Sequence, residues 1–187
     1  MSLTRRSTLA QVVAAVATAL SDAGFTAVLT GGACATIYSD SAYQSHDLDF
    51  IIRSGGNQRT LAAALAAVGF RRDGDRYVHS NTRFFVEFPR GPLAIGDDID
   101  IRPVPLRVGT TTTLALSATD ACRDRLAAFY YWSDRQSLKA ALEIARRHPV
   151  RMATIRRWSE RENQLERFEE FRAALATRRS RETRRRT

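Results

Sequence analysis

The stretch Ala27-Val28-Leu29-Thr30-Gly31-Gly32-Ala33-Cys34 constrains this chain more than any other. An apolar run of strand length ends in two glycines, and a helix can start behind them. After a polar loop, a second apolar run opens with two acids, as Ser45-His46-Asp47-Leu48-Asp49-Phe50-Ile51-Ile52. In a strand, side chains alternate between faces, so Asp47 and Asp49 share one face while Leu48 and Phe50 enter a core. Two strand rises set the carboxylates about 6 to 7 Å apart. That gap suits divalent cations, two of which, about 3.5 to 4 Å apart, hold the attacking and leaving oxygens in phosphoryl chemistry. The glycines complement this, because backbone without Cβ atoms approaches a triphosphate closely and N–H groups near a helix start attract anions. Singly, the glycines read as a tight turn and the acids as a solvated strand edge. No packing need explains both in this order.

Gly31-Gly32 followed by Asp47-Leu48-Asp49 resembles the signature of the nucleotidyltransferase superfamily, in the branch of minimal transferases and AbiEii-like toxin proteins. The resemblance implies a glycine pair at a strand-to-helix turn that binds the phosphates of ATP or another NTP. It further implies that the two acids and a third carboxylate hold Mg2+ in a two-metal centre. Many members carry Ser or Thr directly after the glycines, whereas this chain has Ala33. A hydroxyl contact to phosphate is then missing, or comes from Thr30 or Thr36.

The strand expected over Thr82 to Phe88 is the second place to look for an acid. Phe84, Val86 and Phe88 share one face, leaving Phe85 and Glu87 on the other. An unpaired buried Glu87 costs several kcal/mol or is forced neutral, so it calls for a cation or a cluster of donors. The resemblance gives this position to the third metal carboxylate. Asp100 is the rival, since alternation also places it between Ile99 and Ile101. Glu87 is favoured because Gly96-Asp97-Asp98 reads first as a turn.

Around this centre the chain alternates strand and helix. Thr8 and Gln11 offer a capping box for an amphipathic helix through Leu20 that Gly24 ends. Gly55-Gly56 precedes a helix marked by Leu61, Leu65 and Val68, and turns at Asp73-Gly74 and Ser80-Asn81 punctuate antiparallel hairpins. Pro103, Pro105 and the Thr110 to Thr113 run read as an extended connection out of the sheet. A helix capped at Ser117 follows, then a second capped at Ser133 or Asp134, then one long helix with Met152, Ile155, Leu165, Phe168, Phe171 and Leu175 as its stripe. The segment Asp124-Arg125-Leu126 to Ser133-Asp134-Arg135 resembles the family's C-terminal helices. There the resemblance sets a basic residue, here Arg125 in place of the usual Lys, and Asp134 towards the nucleotide. A cap and ion-pair network among Asp124, Arg125, Asp134 and Arg135 explains the same residues equally well.

The formal charge of +9 over 187 residues points to a polyanionic partner, RNA first. Part of that excess lies in Arg178 to Arg186, which has no apolar partner and reads as a disordered end. No apolar stretch reaches the roughly 18 residues that span a bilayer, and no secretory leader is recognisable, so no membrane role and a cytoplasmic location are expected. Cys34 and Cys122 lack metal-ligand spacing and read as small buried hydrophobes. His46 reads as an exposed loop residue.

The expected fold is α/β (α+β): a nucleotidyltransferase-like mixed sheet with helices over 1–109, a C-terminal helical bundle over 110–176, and a basic tail over 177–187. The expected activity is Mg2+-dependent transfer of NMP from NTP to an acceptor hydroxyl, with RNA, for example a tRNA end, as the first choice of acceptor. The resemblance also implies a toxin with an antitoxin partner, or a phage-defence role. The alternative is a degenerate transferase fold that binds nucleic acid as a scaffold.

Overall fold

The computed structural model describes the backbone of residues 3–184 and the side chains of residues 3–177. Its elements run α1 (Leu9–Asp22), β1 (Thr26–Thr30), α2 (Gly31–Tyr38), β2 (Asp47–Ser54), α3 (Gln58–Ala67), β3 (Phe70–Asp73), β4 (Arg76–His79), β5 (Phe85–Glu87), β6 (Val104–Val108), β7 (Thr111–Ala115), α4 (Ala118–Trp132), α5 (Arg135–Arg147), α6 (Met152–Arg161) and α7 (Leu165–Arg184). The mixed α/β architecture is the expected one. Seven strands form one sheet in the order β3-β4-β5-β2-β1-β7-β6. β1 pairs antiparallel with β2 and parallel with β7, while β2 pairs parallel with β5.

Alternation explains how the central strands bury one face. Leu48 and Phe50 of β2, Leu29 of β1 and Val86 of β5 are fully buried, whereas Asp47, Asp49 and Glu87 between them are only half-buried. Helices α1 and α3 pack against each other and against the sheet, contributing Val12, Val13, Val16, Leu20, Leu61 and Leu65 to the core. The predicted capping box of α1 forms, with Thr8 and Gln11 satisfying each other's backbone N–H groups. Helix α3 has its own box from Asn57 and Thr60. Helix α2 packs on α4 and α5, tying the glycine turn to the C-terminal helices.

Three expectations are corrected. Residues 103–113 do not leave the sheet: β6 and β7 form a hairpin that docks on β1. The prolines misled because they disfavour a central strand, but Pro105 lies on β6, the edge strand, where a missing N–H costs no ladder bond. Gly109 (φ 60°) makes the two-residue turn. The single long C-terminal helix is two, broken where Asn163 takes a left-handed conformation (φ 57°) and Gln164 N–H donates to Ser159 O at 2.8 Å. The arginine-rich end carries helical backbone in α7 as far as Arg184, where the composition suggested disorder, and residues 185–187 lie outside the described residues.

The irregular segment between β5 and β6 is pinned to the helices. Trp158 Nε1 donates to Ile95 O at 3.2 Å. The buried Arg123 guanidinium bridges Asp98 and Asp120 and lies 5.1 Å from the Trp158 ring. Cys34 and Cys122 are fully buried, and burial pushes both thiols up. Among the described residues no helix is long and apolar enough to cross a membrane.

Candidate active site

Thr30, the last residue of β1, is the register partner of Asp49 on β2, so the glycine turn begins directly beside the second acid. Gly31 has φ 61°, and a Cβ built there would lie 2.0 Å from Asp49 Oδ2. The absence of a side chain is what lets that carboxylate rest against the turn. Thr30 is the N-cap of α2 but makes no side-chain cap bond, so its hydroxyl satisfies none of the first N–H groups of the helix. Gly32 answers a second close approach, since its Cβ would lie 2.5 Å from Ser45 Oγ.

Ser45 is a site residue that the sequence reading missed. Its hydroxyl donates to Asp47 Oδ1, and its N–H donates to Thr36 Oγ1 at 3.0 Å. Its spacing was a signal, because a residue two positions before Asp47 falls on the same side under strand alternation. Thr36 is buried and also donates to Gly32 O at 2.9 Å, which commits its hydroxyl to holding the loop. Thr30 Oγ1 lies 3.4 Å from Asp49 O. The hydroxyls that stand over the second glycine are those of Ser45 and, 3.4 Å from the built Cβ, Tyr43.

Glu87 is the register partner of Asp49 across the parallel β2–β5 ladder, and Phe85 that of Asp47. Asp100 is not brought to this place: its side chain is 83% exposed and lies 3.8 Å from Arg102. Asp49 is pushed up to about 7 by burial, then by the neighbouring charges of Asp47 and Glu87, with Arg125 acting in the opposite direction. Mutual repulsion of this kind is what a bound cation relieves. The donors are all carboxylate oxygens, which suit a hard ion such as Mg2+. The side chains do not converge, however. Among the described residues no three His, Cys, Asp or Glu groups gather closely enough to hold a metal ion. Asp47 is turned to Ser45 and Asp49 to Gly31.

From the far side of α2, Arg125 of α4 reaches the site with its side chain only 16% exposed. Its guanidinium donates twice to Asp124, at 2.7 and 2.9 Å, and contacts Ser137 Oγ at 3.5 Å. Burial works against its charge, but Asp124 together with Tyr43 and Asp49 drives its pKa up. The Arg125 charge also acts on the phenol of Tyr43, a second residue missed in the sequence, whose pKa burial raises. Asp134 caps α5: one carboxylate oxygen accepts from Gln136 N and Ser137 N, at 2.8 and 3.2 Å, and the other from Ser137 Oγ at 2.7 Å. Despite burial, these donors hold Asp134 below the usual carboxylate range. Asp134 thus fixes Ser137, which Arg125 touches, and both of its oxygens are occupied. His46 is exposed, as expected.

A mixed sheet whose acid-bearing strand lies between a strand–glycine–helix turn and a third, acid-bearing strand is a nucleotidyltransferase-like fold. Two solved structures share it. An antigenic nucleotidyltransferase-like protein from Paracoccidioides brasiliensis superposes with a TM-score of 0.56 at 17% identity, over 76% of each chain. The antibiotic-resistance factor ANT(2'')-Ia gives a TM-score of 0.51 at 12% identity, over 94% of this chain and 95% of that one. No protein-family model matches the sequence, and no curated protein matches it with significance. At these identities the likeness establishes the fold.

Proposed function

We propose that the protein is a Mg2+-dependent nucleotidyltransferase that moves NMP from an NTP to an acceptor hydroxyl. The observation that carries this is the contact of Asp49 with Gly31 on one side and its pairing with Glu87 on the other. Amides of Gly31 and Gly32 at the uncapped start of α2 would cradle the β- and γ-phosphates, with Arg125 adding positive charge behind them. Asp47, Asp49 and Glu87 would hold the metal. Bound Mg2+ supplies charge neutralisation at the phosphates and makes the acceptor hydroxyl more acidic. The acceptor oxygen forms a bond to the α-phosphorus, the bond from that phosphorus to the bridging oxygen breaks, and pyrophosphate leaves. Glu87 would take the hydroxyl proton. The chain's contribution is positioning and electrostatics, as in other phosphoryl transfers.

The net charge of +9 supports RNA, such as a tRNA end, as acceptor. A toxin role with an antitoxin partner rests on the sequence resemblance alone. A second reading, a degenerate fold that binds RNA without transfer, is favoured by the unconverged acids and by Ala33. The two separate in one experiment, in which the protein is incubated with each labelled NTP, Mg2+ and total tRNA. Label transferred by the parent and lost in Asp49→Ala supports the enzyme. Salt-sensitive RNA binding without transfer supports the scaffold.

A further inference from the structure

The strand registers extend the site across the sheet in two rows. One row runs Asp49, Glu87, Arg76, Asp73 over β2, β5, β4 and β3, and the next runs Asp47, Phe85, Val78, Arg71. Partners in register share a face, so all eight side chains lie on the side of the acids, opposite the buried Val86 and Tyr77. Beyond the acids this face is open: Arg71 and Arg76 are exposed, and Phe85 and Val78 are half-buried. The Arg76 guanidinium lies 5.0 Å from the Phe85 ring centroid. Among the described residues no ion pair engages Arg71 or Arg76.

Phosphoryl transfer requires the attacking and leaving oxygens to lie roughly in line through the phosphorus. In the proposed transferase, the leaving pyrophosphate sits over Gly31 and Gly32, on the β1 side of the acids. The acceptor must then approach from the β5 side, across Phe85 and Arg76. We infer that this open face, Phe85 with Arg76 and Arg71, is the acceptor platform, and that it takes the single-stranded end of an RNA. This rests on the transferase reading above. A phosphodiester next to the attacking ribose meets the two guanidiniums, and a base stacks on the Phe85 and Arg76 pair. With Asp47, Asp49 and Glu87 neutralised by the metal they would hold, the face carries Arg71 and Arg76 against Asp73 alone, a balance that favours an anionic acceptor over a polycationic one.

The test is the binding of a labelled single-stranded RNA oligomer to the full chain, titrated over a range of monovalent salt at fixed Mg2+ and without nucleotide. It compares the parent with the Arg71→Ala/Arg76→Ala double variant and with Arg5→Ala/Arg59→Ala, which removes the same charge from exposed positions outside the sheet, before α1 and on α3. Thermal melting checks that each variant is folded. The platform variant is expected to bind about tenfold more weakly, with the slope of log affinity against log salt reduced by about 0.7 for each phosphate no longer neutralised. Phe85→Leu is expected to weaken binding with the slope unchanged. Equal losses in the two double variants, or none in the platform variant, overturn the proposal. So does efficient transfer to a polycationic antibiotic that survives Arg71→Ala/Arg76→Ala. Failure of the parent to transfer label to any acceptor overturns the transferase reading instead, and binding reports on the face separately.

Discussion

Asp49 and Glu87 are register partners on the parallel strands β2 and β5, and Asp49 also lies against Gly31. One carboxylate thus joins the glycine turn to the second acid-bearing strand. In the proposed mechanism both acids touch the reacting centre, and Asp100 does not. Asp49→Asn and Glu87→Gln are therefore expected to lower labelled-nucleotide transfer by about 10²-fold or more, with Asp100→Asn unchanged. Equal residual activity in the Glu87 and Asp100 variants would remove Glu87 from the site.

The same crowding makes stability depend on pH. Asp49 has its folded pKa raised to about 7 from 3.8, so the folded state binds a proton that the unfolded state has released. The penalty is absent below about pH 4, grows as pH rises, and is complete above about pH 7. Asp49→Asn is expected to raise the melting temperature of the metal-free protein more at pH 8 than at pH 4, when each is compared with the parent at the same pH. Magnesium added at pH 8 is expected to stabilise the parent more than the variant, and melting curves at both pH values check this.

Gly31→Ala introduces both a strained φ and a clash with the Asp49 carboxylate. It is expected to cost about 1 to 3 kcal/mol of stability and to weaken NTP binding. Gly32→Ala adds no positive-φ strain, although its Cβ would meet Ser45 Oγ at 2.5 Å and Ser45 Cβ at 2.8 Å, and the second contact needs a small backbone shift. It is expected to be milder in urea unfolding while still disturbing the bond from Ser45 to Asp47.

Arg123 is 4% exposed, paired with Asp98 and Asp120. Arg123→Met leaves Asp120 without its cation and Asp98 with Arg161 alone, and is expected to destabilise the fold by about 3 to 5 kcal/mol. Because the residue ties the segment before β6 to α4, away from the glycine turn, RNA and NTP affinities of the folded fraction are expected to hold. Chemical denaturation alongside nucleotide titration separates the two effects.

Side-chain alternation and helix caps depend on neighbours a few residues apart, and these were legible in the chain itself. Asp47 and Asp49 on one face, Leu48 and Phe50 on the other, the box at Thr8 and the caps at Ser117 and Asp134 all follow from local spacing. Ser45 carried the same signal but was masked by the loop around it. Tyr43 carried none, since its meeting with Arg125 spans most of the fold.

What the sequence by itself determined is a mixed α/β chain with a glycine turn and an acid-bearing strand, because periodicity and backbone freedom are properties of short segments. Only the tertiary structure decided that Glu87 rather than Asp100 stands beside Asp49, that Pro105 lies on a sheet edge, and that Arg76 and Phe85 extend the acid face. Each of these depends on register and strand order. Those are set by how distant segments share one core, and no local pattern encodes them.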